Sequence, residues 1–119
     1  MKRVSVVSGK RTVWKNCFLL QTPGERAQGL MFKAKVQAPL AIPFASTGRR
    51  RNALHSFFCP LFDAVFLDSN GRVVDLRVRV KPNQLLVIPA KPCKMVIEVP
   101  PGESRKVRLG QLLVLKEAK

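Results

Sequence analysis

The sequence has no tyrosine, one tryptophan, one histidine and only seven acidic residues in 119. The lone His55 excludes a paired-histidine catalytic centre or a multi-histidine metal site; a site built on it would need Cys59 or Asp63 beside it. With no tyrosine, and with Phe57, Phe58, Phe62 and Phe66 reading as core residues on strands, Trp14 is a thin basis for stacking on nucleic-acid bases. The three cysteines, Cys17, Cys59 and Cys93, are odd in number and far apart, so neither a disulfide framework nor a zinc knuckle is written here. The seven glycines form no phosphate-cradling loop. Asp68 is expected at a turn and Asp75 on a solvated face, which leaves no carboxylate pair suited to glycoside chemistry. Apolar runs such as Leu85 to Ile88 fall far short of the ~20 residues needed to cross a bilayer. The N-terminal stretch is interrupted by Ser5, Ser8, Gly9, Lys10 and Arg11, unlike the apolar region of a signal peptide, so the expected compartment is the cytoplasm. No cofactor and no metal are expected.

What the sequence does have is positive charge. Lys and Arg number 22 against 7 Asp and Glu, a net +15, while 46% of residues are hydrophobic, enough for a single folded domain over residues 1–119. The charge is spread over all thirds of the chain, which favours attraction to any polyanion without marking a reading surface. Its densest run is Arg49, Arg50 and Arg51 in a polar loop, and with Arg77 and Arg79 it is the candidate anion-binding surface, for nucleic acid or another polyanion. The plain alternative is a solvated charge run.

The pattern along the chain is β-rich. Val4 and Val6 open a first strand closed by Ser8-Gly9-Lys10, and residues 12–20 form a second. Thr22-Pro23-Gly24-Glu25 is a capping box with proline at the first helical position, so one helix is expected near residues 23–34, with Ala27, Leu30, Met31 and Ala34 as its apolar stripe. Gly29 in the middle of that helix implies a close approach by another backbone. Strands follow at 40–45, where Pro43 calls for an edge or a bulge, and at 53–58 and 64–67. Asn70-Gly71 signals a hairpin into 72–80, where Val74, Leu76, Val78 and Val80 should face the core and Asp75, Arg77 and Arg79 the water. Further strands are expected at 84–88, at 93–99 and at 111–115, with one helical turn in 103–109. Eight or nine short strands with turns between them indicate a mainly β, small antiparallel sandwich or barrel-like domain.

Glu25-Arg26-Ala27-Gln28-Gly29-Leu30-Met31-Phe32-Lys33, then Asn52 to Phe58, then Ala64 to Asp68 with Asn70-Gly71-Arg72-Val73-Val74, and finally Val96 to Pro100 with Gly102, resemble in order the motifs of the domain of unknown function 192 family, nearest to its archaeal members. The resemblance covers residues 12–115. It implies a small, mostly antiparallel β domain with one helix and implies no activity. Pro60 stands three residues before Asp63, where the family pattern has two.

Three readings remain open at this point: a non-enzymatic binding module whose basic surface meets an anionic partner; an enzyme or small-ligand binder using His55, Cys59 and Asp63; and a structural or protein-interaction domain.

Overall fold

The computed structural model describes residues 1–30, 33–45, 56, 59–84 and 87–117. Among them are seven strands: β1 Lys2–Ser8, β2 Arg11–Leu19, β3 Leu40–Pro43, β4 Phe62–Leu67, β5 Val73–Val80, β6 Met95–Val99 and β7 Val114–Glu117. A short helix, α1 Pro23–Gln28, and a 3-10 turn, Glu103–Lys106, complete the regular elements. The strands form one sheet in the order β5-β4-β6-β3-β2-β1-β7.

Local chemistry explains the connections. Gly9, at φ +61°, turns β1 tightly back into its antiparallel partner β2. The next connection carries α1, and a connection of that length allows β3 to lie parallel to β2, with Phe18 opposite Leu40. The sheet is therefore mixed where an antiparallel one was expected, with this as its single parallel pairing among the described residues. Between β4 and β5, the Asp68 carboxylate accepts from the Asn70 and Arg72 amides, both at 2.9 Å, which builds the expected turn. Gly71 occupies a glycine-favouring φ of +86°, and a Cβ there would come within 2.7 Å of the Leu113 carbonyl oxygen.

That close approach belongs to a clasp. Arg72 bridges Leu112, the Val73 amide donates to Gln111 at 3.0 Å, the Gly110 amide to Val73 at 2.8 Å and the Leu113 amide to Gly71 at 2.9 Å. The start of β5 is thereby tied to the segment leading into β7, so the two margins of the sheet meet and the sheet curls into a barrel-like form.

Two cores result. The enclosed face gathers Val4, Val6, Trp14, Cys17, Ala41, Val65, Ile97, Val99 and Leu113. The opposite face gathers Leu20, Leu30, Leu40, Ile42, Phe62, Ala64, Phe66 and Val96. Strand β4 supplies both by alternation, which is why Phe62 to Leu67 reads as an apolar run broken only by Asp63.

Several expectations change. The helix stops at Gln28 rather than reaching residue 34, because Gly29 turns away at φ +47° while its amide closes the last bond to the Glu25 carbonyl. Strand β5 does not keep simple alternation: Phe62 pairs with Val80 but Ala64 with Arg77, an extra residue that makes a bulge. Arg79 sits there at φ +58°, and Val78, expected in the core, is 61% exposed. Pro43 ends the interior strand β3 beyond its two rungs with β2, so no ladder donor is lost on that side. The closing strand begins at Val114 because Gln111 to Leu113 serve the clasp. Most of the expected 53–58 strand, and Leu85 and Leu86 of the 84–88 strand, lie outside the described residues.

Candidate functional site

Asp63, between Phe62 and Ala64 in sequence, is fully buried and accepts four hydrogen bonds. Its Oδ1 accepts from the Arg79 amide at 2.8 Å; its Oδ2 accepts from the Gly102 amide at 2.9 Å, the Ser104 amide at 3.3 Å and the Ser104 hydroxyl at 2.6 Å. Burial alone would raise its pKa, but the Ser104 hydroxyl and the amides of Arg79, Gly102 and Ser104 outweigh it and hold the carboxyl below its ordinary range. The bulge in β5 exists at the point where its amide meets this carboxylate. Asp63 thus fastens β5 to the turn that follows β6.

Cys59 packs in the opposite core with Phe62 and Val80, while Asp63 belongs to the other face of β4, so the two are not brought together. Burial, and then the nearby Glu98, push the Cys59 thiol up to about 11. At neutral pH it keeps its proton and is a poor nucleophile. Cys17 is pushed by burial to about 12, offset in part by a hydrogen bond with the Ala41 backbone. His55 lies outside the described residues, as do Arg49, Arg50 and Arg51. Its neighbour Ser56 is fully buried, its hydroxyl donating to the Lys81 carbonyl at 2.5 Å and accepting from the Gln84 amide at 2.7 Å.

The two arginines of β5 differ. Arg77 donates to Asp75 at 2.9 Å and to the Ile88 carbonyl at 2.6 Å, while Asp75 also accepts from the Ala90 amide at 2.8 Å. Arg77 is a brace for the segment after β5. Arg79 is exposed, and its guanidinium has no acid partner among the described residues.

Each of the seven acidic side chains is already engaged or internal. Glu25 caps α1 and pairs with the Met1 ammonium, which together hold it at about 2. Asp68 builds a turn, Asp75 holds Arg77, Glu103 pairs with Lys106 and Glu117 with Lys2. Asp63 and Glu98 are buried. Among the described residues only Lys2, Arg77 and Lys106 of the lysines and arginines have an acid partner.

Glu98 lies on the side of β6 opposite Ile97 and Val99. That face is covered, and Glu98 is 4% exposed with no hydrogen-bond partner for Oε1. Burial raises its pKa to about 8. The sequence held a sign of this: Val96 lies on the same side of the strand, so that side could not be simply solvated. A pocket of about 430 Å³ opens beside α1, with Phe18, Leu20, Leu30 and Leu40 among its apolar residues and Glu25, Lys33 and Lys35 among its charged ones. No cluster of potential metal ligands occurs among the described residues.

Comparison with known proteins follows the same outline. A family model for domain of unknown function 192, described as "Uncharacterized ACR", matches residues 5–113. The UPF0127 protein PH1112 of Pyrococcus horikoshii is 39% identical over 89 residues, 72% of this chain and 75% of the relative. A crystal structure from Sinorhizobium meliloti 1021, described as a "putative transcription regulator", superposes with a TM-score of 0.79 at 21% identity, covering 96% of this chain and 92% of that one. A protein of unknown function from Novosphingobium aromaticivorans DSM 12444 superposes at 0.67 with 19% identity, over 94% and 83% of the two chains. At those identities the two structures share the fold.

Proposed function

The chain belongs to the domain of unknown function 192 family, and from that premise we propose that it is a non-enzymatic binding module whose basic surface holds a polyanion, with nucleic acid the polyanion of choice. One observation carries this reading: the seven acidic side chains are internal, structural or paired, and among the described residues only Lys2, Arg77 and Lys106 of the lysines and arginines have an acid partner, in a chain of net charge +15. Such a field attracts phosphate backbones and releases their counterions on contact. Arg79, with Arg49, Arg50 and Arg51, supplies the named contacts; Arg77 is partly withdrawn by its brace to Asp75. The fold-mate from Sinorhizobium meliloti, described in terms of transcription, makes nucleic acid the first polyanion to try. The buried thiol of Cys59 and the fully engaged Asp63 weigh against nucleophilic or acid-base chemistry.

The test is the ultraviolet absorbance ratio of natively purified protein before and after a high-salt wash, followed by titration with labelled RNA and DNA. With about six phosphate contacts, affinity should fall roughly a thousandfold between about 50 and 200 mM salt, and the R49E/R50E/R51E/R79E variant should bind more weakly at every salt. Absence of binding at low salt, or binding that ignores salt, overturns the proposal.

A further inference from the structure

The clasp leaves one stretch of the sheet margin unfinished. Its last backbone bond runs from the Leu113 amide to the Gly71 carbonyl, with Arg72 opposite Leu112. Carried further, that register would set Asn70 against Val114 and Asp68 against Lys116, but there the chain is already the turn between β4 and β5. Strand β7 therefore stands last in the sheet, its backbone bonded to β1 alone among the described residues. In an antiparallel ladder alternate residues aim their N–H and C=O groups at the partner, so the others along Val114–Glu117 aim them outward.

The side chains along this edge are equally unmatched. Leu113 and Leu115 turn to the enclosed core, and alternation puts Leu112, Val114 and Lys116 on the outer face. Leu109, Leu112 and Val114 are three of the five large apolar side chains exposed among the described residues, gathered within six positions. The charge around them has one sign. Strands β1, β2 and β7 carry Lys2, Arg3, Arg11, Lys15 and Lys116 against a single acid, Glu117, which is taken by Lys2. Lys116 has no acid partner among the described residues, and Arg3, exposed on β1, shares its face of the sheet.

We propose that β7 is a docking edge, where an extended acidic segment of another protein adds as a further strand. Its backbone pairs with that of Val114–Glu117, an apolar side chain lies against Val114, and a carboxylate lies against Lys116. Strand addition draws attachment from main-chain hydrogen bonds and selectivity from alternate side chains, and this edge offers both. Charge decides between occupants. A second copy of the chain would bring another net +15 and the same lysine to the edge, and a lysine on an edge strand is a common means of keeping like copies apart. A nucleic acid would match the charge, but it has no peptide backbone to continue the ladder and gains nothing from Leu112 and Val114. This proposal rests on residues other than those of the polyanion reading, and the two stand or fall separately.

The probe is a capped heptapeptide with valine, threonine and valine at its centre and two glutamates at each end, titrated into the full chain and followed by amide chemical shifts. Saturable shifts largest at residues 114–117 are expected, with slowed hydrogen exchange there. The same peptide with alternate backbone nitrogens methylated keeps every side chain and charge but cannot complete the ladder, and should leave the β7 amides unmoved. K116E should weaken binding about fivefold and V114S about threefold, both substitutions being at exposed positions and checked for folding by circular dichroism. Shifts spread over the basic surface with no maximum at β7, equal binding of the methylated peptide, or equal binding by K116E would each overturn the proposal. So would displacement of the peptide from β7 by an oligothymidylate of about ten nucleotides, which would give the edge to nucleic acid, or β7 shifts on diluting the protein alone, which would give it to a second copy.

Discussion

Asp63 and Glu98 are two acids on neighbouring strands of one sheet, opposite in almost everything except burial. Asp63 is fully buried on the enclosed side of β4, and Glu98 is 4% exposed on the outer side of β6. Asp63 meets three backbone amides and a hydroxyl, whereas Glu98 Oε1 meets no hydrogen-bond donor among the described residues. The first is therefore held below the ordinary carboxylate range and the second is lifted to about 8. Burial sets what is at stake for an acid; the donors around it decide which protonation state is kept.

Matched substitutions sharpen this contrast. Asp63→Asn places an amide NH₂ among donors that faced a charged acceptor, and should destabilise the fold by about 3 kcal/mol, read from the urea midpoint. A loss below about 1 kcal/mol would show that the four bonds are not what holds the bulge and the 3-10 turn together.

The pH profile comes second, and the two acids should act in opposite directions. Asp63, depressed in the fold, contributes stability that is present above its unfolded value of 3.8 and disappears as pH falls through its folded value. Glu98, raised in the fold, contributes fully below its unfolded value of 4.5, and that contribution is lost as pH rises to about 8. Thermal unfolding of wild type should weaken from pH 5 to 8 relative to E98Q; parallel curves would mean that Glu98 ionises in place.

Gly29→Ala should cost about 1 kcal/mol or somewhat more, through the φ of +47° rather than through a clash, because the added Cβ would make ordinary contact with Glu98 Oε1. A stabilised variant would contradict the backbone assignment at the end of α1. The smallest effect belongs to Glu98→Gln at pH 7, within about 0.5 kcal/mol, since it replaces one neutral group by another of the same shape. A large loss there would place a charge on Glu98 and collapse the contrast with Asp63.

The sequence revealed these two acids unequally. Asp63 stood out because apolar residues flank it on both sides, and a buried acid needs donors; which donors they are depends on Ser104, far along the chain. Glu98 was not singled out in the sequence, where it shares one side of its strand with Val96 and so lies on a strand covered on both faces. Short-range chemistry was readable: the capping box at Thr22 and Glu25, the turn at Asp68 to Gly71 and the stop after Val99 all stand where local rules put them. What escaped depends on contacts across the sheet. The bulge at Val78 and Arg79 answers to Asp63, and the parallel pairing of β2 with β3 answers to the crossover through α1. The helix was overrun because Ala27, Leu30 and Ala34 keep helical spacing, while the conformation of Gly29 ends the helix before Leu30.

The clasp between Gly71–Val73 and Gly110–Leu113, and the pairing of Val4 with Glu117, join stretches that are distant in sequence. Contacts of that kind close the largest loops and are slow to form, whereas the β1–β2 and β4–β5 hairpins need only local turns. The hairpins should therefore assemble early and the meeting of the sheet margins late. Until that last step the backbone along both margins stands open to pairing with another chain, so the folding protein is more exposed to association than the finished one.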